Sequence, residues 1–293
     1  MTTIPRLELP ATAVAATPQR RAPRYPLLSY ALMALATLVV GLPLYWMAAA
    51  AFKNNAEIYS VPVHWLPAHP GFANFVQAWN AAPFGRYYVN TIITTTAGAT
   101  SEIVMAVTSA YAFAFVRFPR KDLIFLLLLA ALMIPDQVTV LPNYLTIARL
   151  GWLNTYQGIV LPGASVAYGT FLLRQAFLSL PRDVLDAAKV DGAGHMRTMW
   201  SIVVPLARPA LITFGLLSIV AKWNDFLWPL VVTNSQDMRV LPIGITRLLD
   251  QEGTTQWGPV MAGSIFVVLP VLLVFAWSQR YIVEGIAAGA VKG

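Results

Sequence analysis

Apolar residues in this chain come in long runs, and polar residues gather between them. Six runs are long enough to cross a hydrocarbon core of about 30 Å, which takes roughly 20 helical residues. They occupy residues 27–52, 90–116, 123–141, 156–173, 210–232 and 260–279. The first carries no charge between Arg24 and Lys53, and the second is interrupted only by Glu102. The third contains "LIFLLLLAALMIP", where Pro135 bends or ends the span because its ring removes a donor and crowds the preceding turn. The fourth is diluted by glycine and proline, the fifth holds Lys222, Asn224 and Asp225, and the sixth runs clean up to Arg280. The pattern predicts an all-α membrane protein with six transmembrane helices.

Arg20, Arg21 and Arg24 precede the first run and "MAAAA" lies near its end, which is also the layout of a signal peptide. Signal-peptide cores hold about 7–15 apolar residues. The run at 27–52 is far longer and reads as a true span.

Composition agrees with the pattern. Of 293 residues 57% are hydrophobic and 11% charged, against about 25% charged in soluble domains. There is too little charge here to cover a surface facing water. The absence of cysteine excludes disulfides, thiolate nucleophiles and Cys-ligated metal. His64 and His69 fall in one loop and His195 in another, so no zinc site can gather them.

The net charge of +7 changes meaning once it is divided by loop. With the N-terminus inside, the inner segments hold fourteen Lys and Arg and the outer segments five, with Lys222 inside a span. That asymmetry obeys the positive-inside rule. It predicts cytoplasmic N and C termini and turns the basic excess toward lipid headgroups and cytosol, not nucleic acid. The expected organisation is a mobile cytoplasmic tail at 1–26, a first span and periplasmic loop at 27–89, a transmembrane core at 90–280 and a C-terminal tail at 281–293. In the outer loop Trp65, Trp79 and "VPVHWLPAHP" suit an interfacial segment anchored by aromatics.

One inner loop is unusually charged. "LPRDVLDAAKVDGAGHMRTMW" at 180–200 packs Arg182, Asp183, Asp186, Lys189, Asp191, His195 and Arg197 around Gly192 and Gly194. Pro181 suits a first helical turn, and Asp183 favours the positive end of the helix dipole. Val184, Leu185, Ala187 and Ala188 make an apolar side, while Asp186 and Lys189 are spaced for a supportive pair. Gly192 can take the positive φ that ends a helix. A second short helix is expected from about Gly194 to Ile202, ended by Pro205. The loop thus reads as two amphipathic helices around a glycine corner, either lying on headgroups or docking a cytoplasmic partner.

Asp186-Ala187-Ala188, three residues, Gly192, nine residues, then Ile202-Val203-Val204-Pro205 resembles the E-A-A-x3-G-x9-I-x-L-P signature of permease subunits of binding-protein-dependent ABC importers. Asp186 stands where the signature has Glu, and Val204 where it has Leu. "NTIITTTAGAT", "SAYAFAFVRF", "GTFLLRQAFLSLP", "KWNDFLWPLVV" and "TTQWGPVMAG" extend the resemblance to the carbohydrate-type permeases from residue 90 onward, the glycerol-phosphate branch above all. The resemblance implies a multi-pass protein of the bacterial cytoplasmic (inner) membrane that forms half of a translocation pore. It implies that Asp186, Ala187, Ala188, Gly192, Ile202 and Pro205 form a coupling element that inserts into a separate ATPase. It further implies a second permease subunit, a dimer of ATP-binding subunits and an extracytoplasmic solute-binding protein. No G-x-x-x-x-G-K-[ST] motif occurs in this chain. ATP and Mg are therefore expected on the partner, with no cofactor in this chain.

Polar groups inside the spans are the candidates for a solute path, since each intramembrane charge costs about 2.5–3.5 kcal/mol on insertion scales. Glu102 either lines the path or pairs with a neighbouring helix. Lys222 and Asp225 either neutralise each other or serve the path. Trp223 and Trp228 either stack on sugar rings or anchor at an interface, with Asn224 between them. Asp136, near the outer end of the third span, either joins the path or marks the water boundary, and Gln137, Asn143 and Tyr144 are candidates at the outer mouth. The cargo is expected to be a carbohydrate or glycerol phosphate, with a neutral disaccharide such as trehalose or maltose as the alternative. A membrane enzyme would need clustered acids, His or a metal set, and a secondary transporter would show inverted repeats. Neither pattern is visible.

Overall fold

The computed structural model describes residues 27–162, 166–249 and 255–290, with 280–290 described as helix only. The expected tail at 1–26 and the last three residues lie outside the described residues. Every regular element among the described residues is helical.

The chain divides into two units, Met1–Tyr45 and Trp46–Gly293. The first contributes most of α1 (Leu27–Ala51), an apolar helix in which the Thr37 hydroxyl donates to the Met33 carbonyl and so carries no unmet donor.

The second unit is built around α4 (Phe84–Phe115). At 32 residues and about 1.5 Å per residue, α4 is roughly 48 Å long, enough to cross a bilayer and emerge on both sides. Before it come α2 (Asn55–Ile58) and α3 (Ala73–Ala81). After it come α5 (Lys121–Ala131), α6 (Asp136–Arg149), α7 (Tyr156–Val160) and α8 (Val166–Leu178). A hairpin follows, made of α9 (Arg182–Val190), α10 (His195–Thr198), a π-turn at Met199–Val203 and α11 (Val204–Leu206). The chain closes with α12 (Arg208–Trp223), α13 (Leu227–Val232), α14 (Leu241–Gly244) and α15 (Trp257–Ala290).

α8 and α12 pack on α4, burying Ala106, Val107, Leu173, Phe177, Val203 and Phe214. Lipid tails are as oily as these side chains, so close packing, not escape from water, holds such helices together. Gly169 sets the approach, because a Cβ there would stand 2.3 Å from Phe214 and 2.7 Å from Ala106.

The two ends of α4 are tied differently. At its C-terminal end Lys121 Nζ donates to the Val116 carbonyl at 3.1 Å and Arg174 Nε to the Phe113 carbonyl at 3.0 Å. Both cations serve the negative end of the helix dipole. At the opposite end Asn90 Nδ2 donates to the carbonyls of Asp237 and Arg239 at 2.7 and 2.8 Å, and Tyr156 donates to Asn90 Oδ1 at 2.8 Å. There too, Lys53 Nζ donates to the His64 carbonyl and lies 4.2 Å over the Trp46 ring, pinning the loop before α3.

Several expected spans are redrawn. The second begins earlier, at Phe84. The third bends where Pro135 was expected to bend or end it, but the helix stops sooner: α5 ends at Ala131, and α6 leaves at 96°. Backbone bonds from Leu132, Met133 and Ile134 tighten that corner, and Pro135 then starts α6. The fourth run is split into α7 and α8 around 163–165, which lie outside the described residues. The fifth ends as a helix at Trp223, and α13 is a separate piece. The sixth helix continues past 279 to Ala290.

By length and composition, two described helices suffice as single spans, Leu27–Ala51 and Trp257–Gln279. The bent pairs Lys121–Ala131 with Asp136–Arg149 and His195–Leu206 with Arg208–Trp223, the latter at 83°, raise that to four. The threonines, serines and glycine of α4 lower its hydropathy despite its length.

Candidate functional site

Two polar features stand out in the second unit: a cavity against the middle of α4 and the hairpin at its C-terminal end.

The cavity, about 430 Å³, is walled by Glu102 from α4, by Asp136, Gln137, Thr139 and Asn143 from α6, and by Lys222, Asp225 and Trp228 around the α12–α13 break. Local chemistry makes that break. Asn224 Nδ2 donates to the Val220 carbonyl at 2.8 Å, competing with continuation of α12. Pro229 then falls in the first turn of α13, where its missing N–H costs nothing. The break lets Asp225 face the Trp228 backbone N–H, Lys222 and Asp136.

Lys222 Nζ lies 3.8 Å from Glu102 Oε2, with both side chains largely buried. The same carboxylate accepts a short hydrogen bond from the Ser218 hydroxyl. The lysine stem runs over Gly98, whose missing side chain leaves it room. Lys222 thus sits between two acids, Glu102 across the helix interface and Asp225 just beyond the end of its own helix. α12 ends at Trp223, so Asp225 leaves the helical register and Lys222 reaches across to α4. Glu102 pairs with a neighbouring helix, as one of its two expected readings had it, and also lines the cavity.

Six of the eight path candidates, Glu102, Asp136, Asn143, Lys222, Asp225 and Trp228, thus converge on one cavity. Trp228 lines the wall, largely buried, with its Nε1 donating to the Gly158 carbonyl at 3.1 Å. The other two lie elsewhere. Trp223 is buried among Phe84, Tyr87 and Leu241, with Nε1 donating to the Val267 carbonyl at 2.9 Å. Asn224 is exposed and spends its amide on the backbone. Tyr144 packs beside Ile147 and Trp228, outside the cavity. Ser218 and Thr139 carried no signal in the sequence, because single hydroxyls inside helices are usually satisfied by their own backbone.

The hairpin begins with Pro181 just ahead of α9 and Asp183 in its first turn. Leu185 is buried in the cluster that holds Val107 and Tyr111 of α4, and Ala188 is buried too, whereas Val184 and Ala187, expected on the same apolar side, are exposed. Asp186 and Lys189 meet at 2.8 Å on the exposed face. The Lys189 hydrogen bond and charge, aided by Arg182, hold the Asp186 carboxyl below the usual aspartate value.

At Gly192 the backbone takes φ of +72°. The Gly192 N–H donates to the Lys189 carbonyl at 3.0 Å and the Ala193 N–H to the Ala188 carbonyl at 2.9 Å. Together these form a Schellman cap that needs glycine. His195 Nδ1 lies 3.1 Å from the Tyr111 hydroxyl, fastening the second arm to α4. That arm does not end at Ile202. A π-turn, in which the Val204 N–H bonds the Met199 carbonyl, carries it through exposed Pro205 to Leu206. The wider turn accommodates a proline ring that would clash with a regular helix. Ile202 packs partly against the core.

Glu102 and Tyr111 are nine residues apart on one helix, so cavity and hairpin sit about 14 Å apart along α4. The second unit thus carries a polar cavity at the middle of α4 and a charged hairpin at its C-terminal end. Residues 102–287 match the family of binding-protein-dependent transport system inner membrane components, and the chain belongs to that family.

It is 34% identical over 264 residues to the sn-glycerol-3-phosphate transport system permease protein UgpE of Yersinia enterocolitica, covering 88% of this chain and 94% of that protein. The UgpE proteins of Pectobacterium atrosepticum and Brucella abortus are 33% and 32% identical, covering 88% and 89% of this chain and 94% and 95% of theirs. Among solved structures, a bacterial ABC transporter that imports the acidic polysaccharide alginate aligns with a TM-score of 0.76 at 23% identity, over 89% of this chain and 99% of that one. The alginate transporter bound to its pentasaccharide-loaded periplasmic protein aligns at 0.64 and 15% identity, over 87% and 93% of the two chains. The fold is that of an importer permease. This chain is an inner-membrane transport subunit and not an enzyme.

Proposed function

We propose that this chain forms half of the translocation pore of an ATP-driven importer for a solute of the carbohydrate or glycerol-phosphate class. Residues 181–205 serve as its joint to a separate ATPase. Six spans with both termini in the cytoplasm form the transmembrane body, with 90–280 as its core. A second permease completes the pore, a solute-binding protein delivers cargo from outside, and a dimer of ATP-binding subunits holds ATP and Mg.

The observation that carries this reading is the exposed face of the hairpin. Val190 and Met196 are 88% and 66% exposed on either side of the Gly192 corner, and the Asp186–Lys189 pair lies beside them. Bare apolar side chains rimmed by charge mark a protein contact. Leu185, in the core cluster with Tyr111, and His195, bonded to the Tyr111 hydroxyl, join that contact to α4, the helix that also carries Glu102 of the cavity wall.

Gly192→Glu forces a side chain into a left-handed backbone position at the centre of the docking face. It should abolish ATP-driven uptake in the reconstituted complex while the chain still reaches the membrane in normal amount. Uptake at the wild-type rate would refute the joint.

A further inference from the structure

The relatives are named for an anionic cargo and the aligned structure for an acidic polysaccharide, yet the cavity wall in this chain is acidic. Glu102, Asp136 and Asp225 face a single ammonium, Lys222. That ammonium is committed: Glu102 holds it at 3.8 Å, and Asp225 adds a second negative field. Protonating any one carboxyl still leaves the wall without a positive excess.

An anion entering here would exchange its hydration shell for like charges. A cleft with low-dielectric walls focuses that repulsion. A hydroxyl-rich neutral solute meets the opposite situation. Carboxylates accept from neighbouring hydroxyls in charge-assisted bonds. The amides of Gln137 and Asn143 both donate and accept. Trp228, also in the lining, adds an aromatic residue of the kind that packs on the C–H face of a sugar ring.

We propose that this cavity admits an uncharged polyhydroxylated solute and turns anions away, and that Glu102, by neutralising Lys222, is the residue that sets the choice. This rests on the pore reading above and narrows its substrate class.

The chain contains no cysteine, so Thr139→Cys gives it a single thiol in the cavity wall. In the assembled complex that thiol is titrated with a cationic and an anionic methanethiosulfonate, each rate normalised to free cysteine and read as a mass shift of this chain. The normalised ratio should favour the cationic reagent roughly tenfold. It should fall at least threefold on adding Glu102→Gln, and likewise with Asp136→Asn, whose exposed side chain can change without disturbing the α4–α12 contact.

A ratio at or below one in the Thr139→Cys protein overturns the proposal, as does no labelling by either reagent. In uptake assays of the full complex, labelled trehalose or maltose should accumulate in preference to labelled sn-glycerol-3-phosphate, and the reverse order overturns the proposal. If neither solute accumulates, the labelling ratio decides. Labelling needs no ATP, so loss of the Gly192-dependent coupling would leave this result intact and the two failures stay distinct.

Discussion

At the scale of single residues, the pair Glu102–Lys222 does most to shape the site. Each charge alone in a membrane interior costs a few kcal/mol, and removing one partner strands the other. Glu102→Ala and Lys222→Ala should therefore each lower the thermal stability of the purified protein by about 2 kcal/mol, discounted for partial exposure. The double variant should lose less than the sum by about 1–2 kcal/mol. Strict additivity in a fluorescence melt would show that the two are not coupled. Asp186 is the opposite case, exposed and paired at the surface. Its carboxyl is held below the usual aspartate value. The charged pair is therefore complete above that value and lost only as pH falls through the lower one. The ratio of uptake by wild type to uptake by Asp186→Asn should stay constant between about pH 5 and 8.

At the scale of elements, the α4–α8–α12 junction depends on one missing side chain. Gly169→Val would drive a methyl into Phe214 and Ala106, and overpacking costs about 1–3 kcal/mol or more. The variant should melt several degrees lower, and Phe214→Ala in the same chain should recover part of the loss. This junction was not legible in the sequence, since Gly169 reads there only as a diluting residue. The helix ends that were legible are those written in local chemistry, such as Asp191-Gly192, whose positive φ was expected. The bend at Pro135 was legible, though the helix stops four residues sooner, at Ala131; the break after Trp223 was missed because hydropathy averages across it. The cavity was largely legible, since charges inside apolar runs must find one another. Trp223 misled because the next residue along a helix points about 100° away from its neighbour. Lys222 faces the cavity, and Trp223 turns to α15.

At the scale of the whole molecule, the basic groups at one end of α4 and the threaded loops at the other define two sides of a membrane. Arg117 lies at the first end and Gln236 near the second, and both are exposed. In sealed right-side-out vesicles a membrane-impermeant maleimide should label Gln236→Cys at once and Arg117→Cys only after permeabilisation. Inverted labelling would overturn the orientation. The same helix carries Glu102 of the cavity wall and Tyr111, the anchor of the hairpin's second arm.

The bridge between α4 and α12 also bears on descent. A lineage that replaces the acid at 102 with a neutral group leaves a bare ammonium in oil. One that replaces the base at 222 leaves a bare carboxylate. Neither intermediate is comfortable, so the two positions should change together or not at all. Among natural descendants of this chain, glutamate at 102 without lysine or arginine at 222 should be scarce.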